Sequence, residues 1–408
     1  MPPDVCGARL VHRKQPRPVE TGHAAASPAA MGRSRRAIAP PRDRRLRIPD
    51  LVSRAIRSLA FVLVCLASLE LGARLFWRAR GVPLTRPDRV LQAFYRGLVK
   101  IDARNPKWAA GRMHVLLLGG STLHPHWGTV QEELREQLAY AGHRDVRIFN
   151  LAAPGLTSRD SRLAYEAVGA EHFDLVVVYD GINEARANNV PPDLFRDDYG
   201  HYGWYEIVNA MAKHQGRARF ALPYTLEYVG LRLRQVVLSS RYVPRNGPRA
   251  DWLHYGDTVR TAGSLEANLR AILDHAAARG EPVVLMTFAM WIPDDYSLDR
   301  FKAAGLGYGL HLAPLEMWGD PRQVRHAVDV HNDVIRGLAR EHPHAGFVDQ
   351  AARLGGNPHW FNDPCHLSLR GAHRFVHNLL PVVLPTLRAR GRPAQPPDAT
   401  VSAAGPTP

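Results

Sequence analysis

The sequence predicts a three-layer α/β/α sandwich on a mainly parallel, five-stranded sheet, preceded by an N-terminal membrane helix. Five short apolar runs have the character of buried strands, and the segments between them carry apolar residues at helical spacing. Strands that alternate with helices require parallel crossovers, which place helices on both faces of the sheet. An uncharged apolar run after a basic leader predicts the membrane helix.

The predicted strands and helices follow one another along the chain in regular order. The strands are expected at 114–119, 146–152, 175–179, 282–288 and 346–349. Apolar residues spaced by three or four positions mark the helices between them. These residues are Trp127, Val130, Leu134 and Leu138; Leu163, Tyr165 and Val168; Leu265, Leu269, Ile272 and Leu273; Val324, Val328, Val334 and Leu338. A last helix is expected from Leu369 to about Leu387.

One long segment interrupts the alternation, and we predict a helical insert there, at about 190–262. A structureless loop of this length is improbable in a compact domain. The insert is either a lid or substrate wall, or a local subdomain whose aromatic residues form its own core. Those aromatic residues are Phe195, Tyr199, Tyr202, Trp204 and Tyr205.

The net charge of +15 at pH 7 is concentrated in the N-terminal leader. Residues 1–57 hold thirteen Lys and Arg against four acidic residues, a net +9, which leaves +6 for the remaining chain. With so mild a charge and no nucleic-acid-binding motif, the body is not expected to bind nucleic acid. Composition predicts a disordered leader at 1–50 and a disordered tail at 391–408, and Met31 could be the true start.

The apolar run predicts a transmembrane signal-anchor helix at 56–77. Glu70 and Arg74 interrupt its outer part, so the alternative is a buried or amphipathic helix of a soluble protein. Cationic residues before the run predict a cytoplasmic N-terminus and an extracytoplasmic domain at 113–390. The polar composition of residues 78–112 predicts a linker between the helix and that domain. Cys365 is the only cysteine in that domain, which excludes a disulfide within it; Cys6 and Cys65 precede it.

Four motifs carry the polar side chains that could form a reactive site. Ser121 follows two glycines, Gly155 closes the segment after the second strand, Asn183 follows the third strand, and His366 lies three residues after Asp363. The first three motifs follow parallel strands, so they should meet at the carboxyl edge of the sheet.

These residue types supply what an acyl transfer needs. A serine hydroxyl needs an adjacent base, which His366 could provide if Asp363 orients its Nδ1–H. The oxyanion that forms on the substrate needs donors, and the Gly155 N–H and the Asn183 amide are candidates. Singly, Ser121, Asp363 and His366 could equally be helix caps, and Gly155 and Asn183 could be turn residues.

Together, and in this order, the motifs resemble those of the SGNH/GDSL hydrolase superfamily over roughly residues 113–388. The resemblance implies a flavodoxin-like fold and a carboxylic ester hydrolase without a cofactor. It also implies Ser121 as nucleophile, His366 as base with Asp363 in the family's Asp-x-x-His position, and an oxyanion hole formed by Ser121 N–H, Gly155 N–H and the Asn183 side chain. Two residues depart from the family pattern: Gly120 replaces the usual Asp before the serine, and Glu184 replaces the Asp after the asparagine.

The neighbours of these motifs are expected to contact the substrate: Thr122, His124, Trp127 and Glu184. No metal is expected, because the pair His124 and His126 has no third ligand at a suitable spacing. We therefore predict a serine-dependent esterase that acts outside the membrane on acylated small molecules, carbohydrate or lipid. An O-acyltransferase acting on envelope glycans and a non-catalytic glycan-binding module remain the alternatives.

Overall fold

The computed structural model describes residues 48–101, 108, 113–244 and 247–390. These residues divide into two units, one that ends at Ala67 and one that begins at Ser68. The predicted tail lies outside the described residues, as does the predicted leader apart from its last three positions.

A long helix, α1, runs from Ile48 to Arg78 and includes the predicted membrane segment. Its part from Val52 to Arg78 is long and apolar enough to cross a membrane, although a soluble core helix or a signal sequence can share these properties. Most of its large apolar side chains, such as Leu59, Phe61 and Leu69, are exposed.

The second unit contains a five-stranded parallel sheet in the order β2-β1-β3-β4-β5. The strands are β1 (His114–Gly119), β2 (Arg147–Asn150), β3 (Leu175–Tyr179), β4 (Val283–Met286) and β5 (Gly346–Val348). All five predicted strands are present, and the predicted three-layer α/β/α sandwich is confirmed. β1 is the second strand of this order, next to the central strand β3, and its last residue, Gly119, pairs with Tyr179 at the end of β3.

The helices after α1 are α2 (Val130–Tyr140), α3 (Ser158–Glu166), α4 (Ile182–Ala187), α5 (Gly203–Ala212), α6 (Leu222–Val237), α7 (Thr261–Arg279), α8 (Leu298–Lys302), α9 (Pro321–Glu341), α10 (Gln350–Leu354) and α11 (Leu369–Arg390). Alternate residues of each strand belong to different cores. In β1, Val115 and Leu117 pack with α2 and α11, whereas Leu116 and Leu118 pack with α3 and α7. This alternation is expected where side chains point to opposite faces of a sheet that is covered on both sides.

The segment predicted as the linker 78–112 differs from that expectation. Its described residues form two 3-10 turns, Pro87–Ala93 and Arg96–Lys100, and Val90, Leu91 and Leu98 are buried in the same core as α3 and α7. The folded body therefore begins well before Met113. The composition of this segment hides its role, because its few apolar residues are enough to cover one edge of the core.

The predicted insert contains α5 and α6, together with 3-10 turns at Ser239–Arg241 and Ala250–Asp257. Tyr199 and Tyr205 pack with Ala187 in one small cluster, and Phe195 packs against a second one around Trp252. Phe195 therefore packs within the insert, whereas Tyr199 and Tyr205 pack against Ala187, which lies outside it.

Candidate active site

Ser121 lies in a tight turn directly after β1. Gly119 has a φ of +153°, and a Cβ atom there would come within 2.3 Å of the Tyr179 carbonyl oxygen on the paired strand. Only glycine meets both conditions, because other residues rarely adopt this φ and backbone atoms cannot move aside. Ser121 then opens a 3-10 turn that ends at Leu123. The strand end and the glycine together fix the position of the serine hydroxyl.

The structure brings Ser121, His366 and Asp363 into one chain of hydrogen bonds. The distance from Ser121 Oγ to His366 Nε2 is 2.8 Å, and that from His366 Nδ1 to Asp363 Oδ2 is 2.6 Å. The other oxygen of Asp363 accepts the backbone N–H groups of Cys365 and His366 at 3.0 Å and 2.8 Å. With Nδ1–H donating to the carboxylate, Nε2 is left as the acceptor that a serine proton requires.

Asn183 lies beside this chain of hydrogen bonds, with its amide held on both sides. Its Nδ2 donates to the Leu156 carbonyl at 2.7 Å, and its Oδ1 accepts the indole N–H of Trp318 at 3.0 Å. One amide hydrogen remains for a further acceptor. A Cβ atom at Gly120 would lie 2.9 Å from Nδ2, so the glycine that departs from the family pattern leaves room for this amide.

Gly155 is exposed in the turn between β2 and α3, one residue before the carbonyl that Asn183 contacts. Its φ is +78°. Gly155 therefore lies at the same edge of the sheet as Ser121 and Asn183. Its role as an oxyanion donor stays a prediction.

Two of the predicted substrate contacts, Thr122 and Trp127, lie next to Ser121 and His366. The indole of Trp127 stacks on the imidazole of His366, with ring centroids 4.6 Å apart and planes inclined by 25°. The Thr122 hydroxyl donates to the Cys365 carbonyl at 3.5 Å, which connects the turn at Ser121 with the loop that carries His366. His124 is half-buried, and this burial lowers the pKa of its imidazole.

Glu184 differs from the substrate-binding role that we predict for it. Its side chain is fully buried, and Oε1 accepts the backbone N–H of Ser158 at 2.6 Å, whereas Oε2 has no hydrogen-bond partner among the residues that the structure describes. Asp180 is also buried, and within the described part of the chain neither of its carboxyl oxygens has a hydrogen-bond partner. Burial raises the pKa of both carboxyl groups well above the usual range, and the proximity of Asp180 raises that of Glu184 further. Both groups belong to the interior beneath the site.

Cys365 lies between Asp363 and His366 in the chain, but its thiol is a poor nucleophile. Burial raises the pKa of its thiol, which keeps it protonated, and thiolate is the reactive form. Cys365, Asp363 and His366 also lie close enough together to be considered as metal ligands. Asp363 and His366 already bind each other, and Nε2 faces Ser121, so the donor set fits a triad better than a metal centre.

Trp318 is the residue of the site that the sequence does not reveal. It comes from the segment before α9, far from every motif, and it is almost fully buried. No spacing or motif links a tryptophan at this position to Asn183. A Trp-Gly pair before a helix cap is the only local signal, and it predicts a turn.

No protein-family model matches the chain, and the comparison with curated proteins found no match. Solved structures that are similar to it include the acetylxylan esterase Axe2 from Geobacillus stearothermophilus, with 16% identity, a TM-score of 0.36, and coverage of 66% of this chain and 94% of that one. The acetyl xylan esterase AlAXEase has 14% identity, a TM-score of 0.36, and coverage of 66% and 100%. A protein described as a GDSL-like lipase from Parabacteroides merdae has 12% identity, a TM-score of 0.36, and coverage of 66% and 94%.

Proposed function

We propose that this protein is a serine-dependent carboxylic ester hydrolase. One observation carries the proposal: Ser121 Oγ, His366 Nε2 and the Asp363 carboxylate form a continuous hydrogen-bonded chain although they come from opposite ends of the domain. A structural cap or turn would need only one of these contacts. A nucleophilic serine requires this arrangement, in which a histidine accepts the serine proton and a carboxylate orients the histidine.

In the proposed reaction, His366 takes the proton of Ser121 as the hydroxyl oxygen attacks the ester carbonyl. The N–H groups of Ser121 and Gly155 and the free amide hydrogen of Asn183 bind the oxyanion that forms. His366 then gives the proton to the leaving alcohol, and Asp363 stabilises the imidazolium in between. Water deacylates the enzyme by the same steps, with His366 again as the base.

The first test replaces the proposed nucleophile. The Ser121→Ala variant should lose at least about 1,000-fold in p-nitrophenyl acetate hydrolysis, because no other group can form the acyl-enzyme. Ser240→Ala, which changes an exposed serine of the insert, is the matched control and should retain activity. Equal hydrolysis by the wild-type protein and Ser121→Ala, with both folded by circular dichroism, would remove Ser121 from the mechanism.

A fluorophosphonate probe separates an esterase from a non-catalytic glycan-binding protein of the same fold. Only a serine activated by a base reacts with such a probe. We expect labelling of the wild-type chain at Ser121 and none of Ser121→Ala. A wild-type chain that stays unlabelled would favour the binding module.

The proposal places the hydrolase domain outside the cytoplasmic membrane, with acylated carbohydrate or lipid as substrates. It is supported by α1, which has the length and apolar composition of a membrane span, and by the basic residues that precede it. Alkaline phosphatase fused after the last residue should be active, because this enzyme folds only outside the cytoplasm. An inactive fusion that is present in full would contradict the orientation.

A further inference from the structure

A groove of about 500 Å³ runs along the first turns of α11, on the surface of the folded body. Its volume lies in the range of roughly 300–1,000 Å³ that is usual for ligand sites. Two of the side chains that line it are cationic, two more become cationic when protonated, and none is acidic. The lining residues are Trp360, Leu369, Arg370, His373, Arg374 and His377. This composition favours an anionic ligand.

The four basic side chains of the groove share one face of α11. Spaced by three or four positions and exposed to solvent, they are Arg370, His373, Arg374 and His377. The opposite face of the helix packs in the core, for example through Phe375. The packing of α11 therefore fixes the basic face in place, and its geometry does not depend on a loop.

The charges on this face disfavour the helix that carries them. Arg370 lies in the first turn of α11, where the positive end of the helix dipole repels a cation and where no acidic residue offsets it. Arg370 and Arg374 are four positions apart, a spacing at which like charges repel each other. Among the residues that the structure describes, no carboxylate is paired with either guanidinium group. An anion bound between the two arginines would relieve both repulsions.

Two further walls of the groove are held by hydrogen bonds. The Nδ1 atom of His373 lies 2.8 Å from Glu133 Oε1 on α2, and this contact keeps the imidazole beside the arginines. On the other side, the backbone carbonyl of Trp360 accepts the Ser368 N–H at 2.9 Å. The half-buried Trp360 thus forms an apolar wall next to the charged face.

The groove begins close to the proposed catalytic centre. Leu369 follows His366 by three residues, so the Cα atoms of these two residues can be at most about 11 Å apart. Nε2 of His366 lies 2.8 Å from Ser121 Oγ. A substrate that presents an ester to Ser121 and continues for a few sugar rings can therefore reach Arg370.

We propose that this groove is a subsite for an acylated anionic saccharide, whose carboxylate or phosphate groups bind Arg370 and Arg374. The guanidinium group matches both anions with paired N–H donors. The apolar wall at Trp360 can pack against a sugar ring, and the open shape of the groove suits a chain that extends beyond the ester. This inference rests on the proposed esterase function and narrows its substrate class.

The first test measures binding to the full chain in detergent by isothermal titration calorimetry. The probes are oligogalacturonate, which carries carboxylates, phosphorylated dextran, and neutral dextran. We expect at least one charged saccharide to bind, neutral dextran not to bind, and the double variant Arg370→Gln/Arg374→Gln to bind at least about tenfold more weakly, because it loses two charge-assisted contacts. Arg388→Gln, at an exposed position near the other end of α11, is the matched control and should bind as the wild type does.

The second test connects the groove with the ester chemistry. It compares kcat/KM for the acetylated form of the charged saccharide that binds with kcat/KM for acetylated neutral dextran. We expect the ratio of charged to neutral substrate to fall at least about tenfold in the double variant. Arg370→Lys/Arg374→Lys, which keeps the charges, should recover part of this ratio.

The other outcomes overturn the inference. If neither charged saccharide binds, or if wild type and double variant bind equally, the groove is not an anion site. If binding depends on the arginines but the ratio of kcat/KM values does not change, the groove is not a subsite of the active site. Hydrolysis of p-nitrophenyl acetate reports separately on the ester chemistry, because this ester carries no anionic group for the arginines. Its absence in a chain that still binds the saccharide through the arginines would refute the esterase and leave the ligand of the groove in place.

Discussion

Asn183 shows how one side chain of the site is aligned by a residue from a distant part of the chain. An amide that contributes to an oxyanion hole must point its N–H in one direction, and a free amide could flip. The Leu156 carbonyl and the Trp318 indole bind the two ends of the Asn183 amide and leave a single orientation. Trp318 is thus a positioning residue for the proposed reaction.

Replacement of Trp318 by Phe keeps the ring and removes the N–H that holds Asn183. We expect kcat for p-nitrophenyl acetate to fall about 10- to 100-fold with little change in KM, because the loss affects the oxyanion and not the bound ester. Trp252→Phe, in the small core of the insert, is the control and should leave kcat unchanged. A rise in KM alone, with kcat maintained, would argue against a positioning role.

Glu184 and Asp180 make the stability of the fold depend on pH. Burial raises the pKa of each carboxyl group in the folded chain above its ordinary value, 4.5 for Glu184 and 3.8 for Asp180. The unfolded chain therefore releases these protons at lower pH than the folded chain. The stability that depends on the protonated carboxyl groups is fully present below their ordinary pKa values. It is lost as the pH rises towards their raised pKa values in the folded chain.

The Glu184→Gln variant keeps an oxygen for the Ser158 N–H and cannot acquire the buried charge. Its melting temperature should exceed that of the wild type at pH 8, and it should fall less between pH 5 and pH 8. Glu132→Gln, at an exposed position of α2, is the control. Parallel losses of melting temperature in wild type and Glu184→Gln would mean that Glu184 is not the source of the pH dependence.

At the scale of elements, the start of α3 connects the site to the segments on either side of it. Thr157 and Asp160 form a reciprocal cap there, which orders the backbone just after Gly155 and Leu156. Asp160 is buried and also accepts the Tyr95 hydroxyl at 2.8 Å, the Trp204 indole N–H at 2.9 Å and the Tyr205 hydroxyl at 2.5 Å. The Asp160 carboxylate therefore links, through hydrogen bonds, the segment that carries Tyr95, the insert and the start of α3.

Asp160→Ala removes the acceptor of the buried Tyr95 hydroxyl and of the Trp204 indole N–H and breaks the cap of α3, and we expect it to lower the free energy of unfolding by about 3–5 kcal/mol. Urea denaturation measures this loss. Asp145→Ala, at an exposed position before β2, should change it by less than about 0.5 kcal/mol. Similar small losses for both variants would show that the buried network adds little to stability.

At the scale of the whole molecule, the folded body includes the last part of α1. Trp77 is almost fully buried, donates to Thr225, and packs against Tyr224 and Tyr228. Ala73 and Trp77 belong to the same core as α3 and α7. The last part of α1 thus forms part of the core of the body.

This arrangement predicts where a soluble fragment can begin. A fragment of residues 68–390 should melt at a higher temperature than one of residues 79–390, because loss of a buried tryptophan alone costs about 3–5 kcal/mol. Thermal unfolding followed by circular dichroism compares the two. Equal melting temperatures would mean that residues 68–78 do not stabilise the body.

The sequence by itself determined the five strands, the helices between them and the four motifs at the strand ends. The spacing of apolar residues and the apolar runs indicate which side chains are buried. In β1 the residues from Val115 to Leu118 are all apolar, so they are buried on both faces of the sheet regardless of which helices cover them. Parallel strands then bring Ser121, Gly155 and Asn183 to one edge, so their proximity followed from topology.

Only the tertiary structure decided which partners these side chains meet. Trp318 reaches Asn183 from 135 positions along the chain, and Tyr95, Trp204 and Tyr205 converge on Asp160 from two segments without a motif. The same holds for Glu184, whose place in a motif suggested the surface and whose carboxylate lies in the interior. Local patterns carry no information on such contacts, because they depend on how separate elements pack and not on the spacing within any one of them.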